Sequence, residues 1–151
     1  MKLVITRVDH AAVNIDGACH ASIGKGFLVL CGVAEGDGEA DVAYLAKKTA
    51  GLRVFSDDEG KMNRSCADVG GEILVVSNFT LLAETRKGNR PSFVRAAAPE
   101  LANALYESYV ETLRKEYGYT VKTGVFAAHM ELSSQNNGPI TILMDSKEAV
   151  Q

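Results

Sequence analysis

The chain has 151 residues, of which 46% are hydrophobic and 23% charged, and its formal net charge at pH 7 is −3. This length suits a single domain with its own buried core, and the composition excludes a low-complexity or largely disordered chain. The acidic balance argues against a protein that coats nucleic acid through bulk positive charge. We therefore expect no DNA partner, and any RNA must be bound locally.

The cysteines and the charge of the first segment predict a cytoplasmic protein. Cys19, Cys31 and Cys66 lie in separate segments without a C-x-x-C pair, and an odd number suits a secreted disulfide framework poorly. Residues 1–16 carry charges that leave no apolar core for a signal peptide. The longest apolar run, 27–34, is far shorter than the ~20 residues of a membrane span, so no membrane association is expected.

The opening of the chain predicts β-strands. Residues 3–8 and 11–15 have strand composition, and Asp16-Gly17 is a strong hairpin signal leading into 18–23. Residues 27–33 form a nearly continuous apolar run, which indicates a strand buried on both faces. A β-rich first segment is therefore expected.

Two helices are predicted by apolar residues at helical spacing. The first follows Gly38, and its expected core face is Val42, Leu45, Ala46 and Thr49. The second begins at Pro99 and closes at Gly118. Its expected core face is Leu101, Leu105, Tyr109 and Leu113.

The remaining strands are predicted at 52–55, 73–76, 119–126, 125–133 and 140–144. Many strands with only two helices and short connections favour an α/β fold with a curved, mostly antiparallel (mixed), barrel-like sheet. The two main helices would pack on one face of this sheet. We expect a single domain over residues 1–151, with 146–151 as a flexible tail.

The segment QNNGPIT, residues 135–141, lies between the predicted strands 125–133 and 140–144. Glycine supplies a positive φ and proline a fixed one, so the pattern predicts the crest of a β-hairpin. A bare turn explains the composition without any function, and a functional crest is the alternative.

The usual catalytic patterns are absent from the sequence. His10, His20 and His129 stand in no zinc-binding spacing, and there is no nucleophile elbow or P-loop. The acidic turn 57–60 is more typical of solvated surface than of a metal site. We expect neither a metal nor a cofactor.

Two other segments are unusual. In SNFTL, residues 77–81, small polar side chains bracket an aromatic where a buried strand stops, and backbone N–H groups at strand ends are able to bind ligands. The alternative is that Phe79 belongs to the core and its neighbours complete a turn. In the loop 85–93, Arg86, Lys87 and Arg90 form a basic cluster suited to phosphates, although a solvated basic loop is the commoner explanation of such a cluster.

SNFTL and NNGPIT together resemble the paired signature motifs of the bacterial-type D-aminoacyl-tRNA deacylases, S-Q-F-T-L and N-x-G-P-[VI]-T. The likeness extends over nearly the whole chain, including VITRV, IGKGFLVLCGV, DVGGEILVVS and TRKGNRPSF. It implies a cytoplasmic homodimer that hydrolyses the ester between a D-amino acid and the 3′-terminal adenosine of tRNA. Glycyl-tRNA would also be a substrate, because glycine has no side chain to exclude.

The resemblance also implies roles for particular residues. Ser77, Asn78 and Met130 would contact the substrate, and backbone N–H groups of Phe79 and Thr80 would stabilise the oxyanion with help from the ribose 2′-hydroxyl. Gly138 and Pro139 would form a cis peptide bond, reach into the partner's pocket and exclude L-amino acids. The tRNA would be bound by Arg86, Lys87 and Arg90.

The family has glutamine where this chain has Asn78; the shorter amide keeps both hydrogen-bonding groups and reaches about one methylene less far. Thr80 as a covalent nucleophile is an alternative mechanism, disfavoured because the sequence shows no base beside it. A non-catalytic tRNA-binding or nucleotide-binding module of the same fold is the alternative function.

Overall fold

The computed structural model describes residues 1–149. In chain order the described elements are β1 Lys2–Ile15, β2 Ala18–Ile23, β3 Gly26–Gly32, α1 Glu39–Ala50, β4 Arg53–Ser56, β5 Met62–Ser65, β6 Glu72–Ser77, a 3₁₀ helix Phe79–Leu82, α2 Pro99–Lys115, β7 Val121–Thr123, β8 Glu131–Asp145 and a 3₁₀ helix Ser146–Ala149.

The sheet is organised around β1. The first half of β1 pairs with β3, its second half pairs with β2, and β8 follows its other edge, all antiparallel. Strands β3, β6 and β7 continue the sheet in parallel order, while β4 and β5 form a separate hairpin. The predicted α/β fold with a mixed, curved, barrel-like sheet is confirmed.

Both helices pack on one face of the sheet, as predicted. The four residues expected on the inner face of α1 are all buried, and Thr49 bonds the buried Tyr109 hydroxyl of α2 at 2.8 Å. For α2 the expected core face is correct except at Leu101, whose side chain is exposed. A second, smaller core that includes Val13, Leu74 and Val76 lies on the opposite face of the sheet.

The predicted hairpin crest at 135–141 is wrong, because β8 runs through it as one strand. Thr6 of β1 lies opposite Thr141, whereas Val8 lies opposite Asn136, so residues 137–140 face Arg7 alone. The segment is therefore a bulge in an edge strand, where proline is tolerated because it need not donate to a ladder. The strand expected at 119–126 is confined to Val121–Thr123, and the strand expected at 125–133 begins only at Glu131.

The segment expected to be a flexible tail begins with an ordered contact. Ser146 is buried, its Oγ accepts a hydrogen bond from the Met1 amine at 2.7 Å, and its N–H donates to the Met1 carbonyl at 2.9 Å. Residues 150–151 of that tail lie outside the described residues. Within 1–149, neither helix has the length and apolar character needed to cross a membrane.

Candidate functional site

A tight turn forms where the parallel strands β3 and β6 end. The Asn78 N–H donates to the Cys31 carbonyl at 2.8 Å, and the chain then enters the 3₁₀ helix Phe79–Leu82. A Cβ on Gly32 would lie 2.6 Å from Leu82 Cδ2. The missing side chain at Gly32 therefore lets this short helix pack directly against β3.

The side chain of Asn78 bonds within this turn. Its Oδ1 accepts the Thr80 N–H at 3.1 Å and also the Thr80 hydroxyl proton. The proton acceptor beside Thr80 is therefore a neutral amide, which is far too weakly basic to activate a nucleophile. This geometry counts against the covalent alternative for Thr80.

A cavity of about 780 Å³ opens beside the turn. It brings together five of the predicted site residues, namely Ser77, Asn78, Phe79, Thr80 and Met130. Its volume falls within the range of roughly 300–1,000 Å³ that is common for small-molecule sites. The predicted tRNA contacts Arg86, Lys87 and Arg90 do not line it, and neither do Gly138 and Pro139.

Two aromatic rings meet at the wall of the cavity. Phe79 is 56% exposed, so the alternative that it belongs to the core is wrong. Its ring packs edge to face against Phe93, with 5.0 Å between the ring centroids. Phe93 was not predicted from the sequence, although it follows the basic cluster directly in the motif RPSF. Aromatic side chains at a cavity wall suit planar rings such as nucleobases.

The loop between β7 and β8 forms another wall of the cavity. Met130 is the only residue of this loop that was predicted from the sequence to contact the substrate. Phe126, Ala127 and His129 also line the cavity, and Ala127 has a φ of +63°. A Cβ on Gly124 would lie 2.5 Å from Met130 Sδ, so this glycine lets the methionine fold back toward the sheet. His129 is exposed and is the one titratable side chain among the described lining residues.

The two buried cysteines are poor nucleophiles. Burial raises the pKa of Cys31 to about 12, and burial likewise raises the pKa of Cys66 to about 12. Since a thiolate is the reactive form, both thiols are inert near neutral pH.

The Asp57 carboxylate of the acidic turn 57–60 is already hydrogen-bonded within the turn. It accepts from the Glu59 N–H and from the Lys61 N–H, at 2.9 Å each.

Gly138 and Pro139 lie on the bulge of β8, exposed to solvent, and the peptide bond between them is cis. The half-buried Arg7 holds the preceding residue: its Nε donates to the Asn137 carbonyl at 3.1 Å and its Nη2 to Asn137 Oδ1 at 2.8 Å. A third Arg7 nitrogen donates to the Val54 carbonyl. Asn137 Nδ2 in turn donates to Asp9 Oδ1 at 2.9 Å, so two residues of β1 hold the bulge through Asn137.

The basic loop is closed by a bridge between Glu84 and Ser92. The Glu84 carboxylate accepts from Arg86 Nε at 2.8 Å and from Nη2 at 2.7 Å, and these hydrogen bonds lower the pKa of Glu84 to about 2. Arg86 is therefore largely neutralised by its own loop. The exposed Lys87 and Arg90 are the better placed of the three cations to contact phosphate.

Comparison with known families matches residues 4–145 to the profile described as D-Tyr-tRNA(Tyr) deacylase. A "D-aminoacyl-tRNA deacylase" of Natranaerobius thermophilus is 50% identical over 98% of this chain and 99% of the relative. A protein of the same description from Syntrophotalea carbinolica is 56% identical over 97% of each chain.

A solved structure described as "c-Myc DNA Unwinding Element Binding Protein" superimposes with a TM-score of 0.91 at 40% identity. The match covers 96% of this chain and 98% of the solved chain.

Proposed function

Because the chain belongs to the D-Tyr-tRNA(Tyr) deacylase family, we propose that it hydrolyses D-aminoacyl-tRNA to a free D-amino acid and tRNA. The observation that carries this proposal is the cavity beside Ser77–Thr80, which unites one signature motif with aromatic walls suited to an adenosine. We place the reaction in the cytoplasm, where charged tRNA is found.

Positioning and oxyanion stabilisation do the chemistry in this proposal. An aminoacyl ester is already activated, and its neighbouring 2′-hydroxyl assists the attack of water, so no triad is required. The Phe79 N–H is the donor we assign to the oxyanion, because the Thr80 N–H is already directed at Asn78 Oδ1. The amide acceptor beside Thr80 and the raised pKa of both buried cysteines leave no activated nucleophile among these groups.

Chirality is checked by the partner subunit. Gly138 and Pro139 are exposed and lie outside the cavity of their own chain, which supports insertion into the cavity of a second copy. There the backbone carbonyls of the motif leave room for a D-residue and exclude the side chain of an L-residue. Glycine has no side chain to exclude, so glycyl-tRNA is also hydrolysed.

The free edge of β8 supports the homodimer. Among the described strands β8 pairs only with β1, and its 15 residues include the exposed side chains Leu132 and Leu143. A long edge strand with exposed apolar side chains is a site of association unless it is covered. A second copy that packs here also brings the motif of one subunit toward the other.

The tRNA is held locally by Lys87 and Arg90, with a smaller part for Arg86 because of its pairing with Glu84. The loop that carries them also supplies Phe93 to the cavity wall, so phosphates adjacent to the terminal adenosine lie within its reach. We assign no DNA partner to this chain, since its net charge of −3 gives no general attraction for a duplex.

The test is incubation of the pure protein with D-Tyr-tRNA and L-Tyr-tRNA, followed by measurement of released tyrosine. We expect release from the D-form and a rate about 100-fold or more lower for the L-form, because an excluded side chain blocks the reactive geometry. Equal rates contradict the chirality proposal. Binding of D-Tyr-tRNA without release contradicts hydrolysis and favours the non-catalytic module.

A further inference from the structure

Asn78 is the position at which this chain departs from the glutamine of the signature motif, and its backbone N–H and its side-chain oxygen are both hydrogen-bonded inside the protein. Its backbone N–H donates to Cys31, and its Oδ1 receives two protons from Thr80. Its backbone is extended, with φ −146° and ψ 94°, as expected for the residue that caps a helix.

We propose that Asn78 is a positioning residue, which caps the 3₁₀ helix and orients the Thr80 hydroxyl instead of contacting the substrate. This inference rests on the proposed function, because it assigns Asn78 a part in the same hydrolysis. It replaces a direct substrate contact with a role that acts through Thr80 and Phe79.

The hydrogen-bond inventory of Thr80 carries the first step. A hydroxyl has a single proton, and here that proton is donated to Asn78 Oδ1. The hydroxyl oxygen of Thr80, a residue that lines the cavity, therefore has only lone pairs left to offer a ligand. It accepts a hydrogen bond from an N–H or O–H donor of the substrate and is unable to donate to the ester oxygen.

The second step concerns the cavity wall. By fixing the first turn of the short helix, the cap sets the direction of Phe79, whose ring lies 5.0 Å from that of Phe93. Asparagine, aspartate and serine place an acceptor at the distance that caps require, whereas glutamine is not a preferred cap. The longer amide reaches about one methylene past the Thr80 N–H.

Four substitutions separate a cap from a substrate contact: Asn78→Asp, Asn78→Ser, Asn78→Gln and Asn78→Ala. We compare kcat at saturating D-Tyr-tRNA, and the uncharged Ser variant decides between the two roles, because the charge of the Asp variant also acts on the developing oxyanion. If Asn78 is a cap, the Ser variant keeps kcat within about threefold, while the Gln and Ala variants lose about fivefold or more. Asn63→Gln, on the distant β4–β5 hairpin, is the matched control and leaves kcat unchanged.

Hydrogen exchange of the Thr80 amide, measured without substrate, reports on the bond from the Thr80 N–H to the side chain at position 78 and does not depend on activity. We expect faster exchange in the Ala variant and protection in the Asp variant. A Gln variant that keeps kcat while the Ser variant loses it overturns the inference, since that pattern requires the amide NH₂ on the substrate. Thr80 exchange that is equal in all variants also overturns it. If the unsubstituted protein releases no D-tyrosine, the proposed function fails, and the exchange data still decide whether Asn78 is a cap.

Discussion

The turn that ends β6 and the bulge that interrupts β8 are both organised by an asparagine side chain, but the two are held in opposite ways. Asn78 bonds Thr80, two residues further along the chain. Asn137 bonds Arg7 and Asp9, which are 130 and 128 residues away in sequence.

This difference indicates which region of the site a substitution elsewhere in the chain will affect. The side-chain bonds of the pocket turn are made between neighbours in sequence, and its backbone is anchored to β3 at Cys31 and Gly32. The bulge projects from an edge strand and depends on β1 for its shape. Changes in β1 are therefore expected to alter selectivity, and changes in the turn are expected to alter rate.

The largest expected effect comes from separating the two regions onto different subunits. Thr80→Trp fills the cavity, so its homodimer should be inactive. Gly138 has a φ of +127°, and a Cβ there would lie 2.7 Å from the Ile140 nitrogen, so Gly138→Ala distorts the bulge. We expect its homodimer to discriminate between D-Tyr-tRNA and L-Tyr-tRNA about tenfold less well or worse.

Co-expression of the two variants with different tags yields a heterodimer in which one intact cavity faces one intact bulge. The purified heterodimer should recover the D-to-L rate ratio of the unsubstituted protein at about half of its activity per dimer. A heterodimer no more selective than the Gly138→Ala homodimer would show that each bulge serves the cavity of its own chain.

A smaller effect is expected from Arg7→Lys, which keeps the charge and loses the forked contact with Asn137. Hydrogen bonds to charged groups contribute about 1.5–3 kcal/mol each, so we expect the free energy of unfolding to fall by about 2 kcal/mol. The D-to-L rate ratio should fall as well, while kcat for D-Tyr-tRNA changes little. Urea unfolding measures the free energy of unfolding, and the hydrolysis rates of D-Tyr-tRNA and L-Tyr-tRNA measure selectivity.

The control for Arg7→Lys is Arg64→Lys, at an exposed arginine paired with Asp58. A loss of selectivity in the Arg64→Lys variant as well would contradict a specific role for Arg7.

The smallest effect is expected from Thr80→Val, which keeps the shape of the side chain and removes the hydroxyl. Because that hydroxyl donates to an amide and has no base beside it, kcat should fall by about tenfold or less. Single-turnover measurement of D-tyrosine release checks this. Complete loss of activity with an unchanged unfolding curve would restore the threonine nucleophile.

Much of the fold could be predicted from local pattern. The core face of α1 follows from helical spacing, and the strand that leads into Ser77 follows from its unbroken apolar run. The exposure of Leu101 was not predictable, because spacing identifies a helical face without showing where along the helix the sheet ends.

The site was predictable in part. Both motifs were located, but Phe93 joins the cavity from a loop whose path carries no periodic signal. Phe126 was predicted in a strand at 119–126, whereas it lies in the loop that follows Val121–Thr123. The pairing of Arg86 with Glu84 was also hidden, since a basic cluster in a sequence does not reveal which of its charges is already neutralised.

The sequence by itself determined the two helices, the buried strands β3 and β6, the acidic net charge and the two segments in which function would lie, because these depend on residue type and short spacing. Only the tertiary structure decided what QNNGPIT is. Gly-Pro after two asparagines has the same composition in a hairpin crest and in a strand bulge, and what separates them is the partner strand β1 with Arg7 and Asp9. That partner is distant in sequence, so no local pattern contains it.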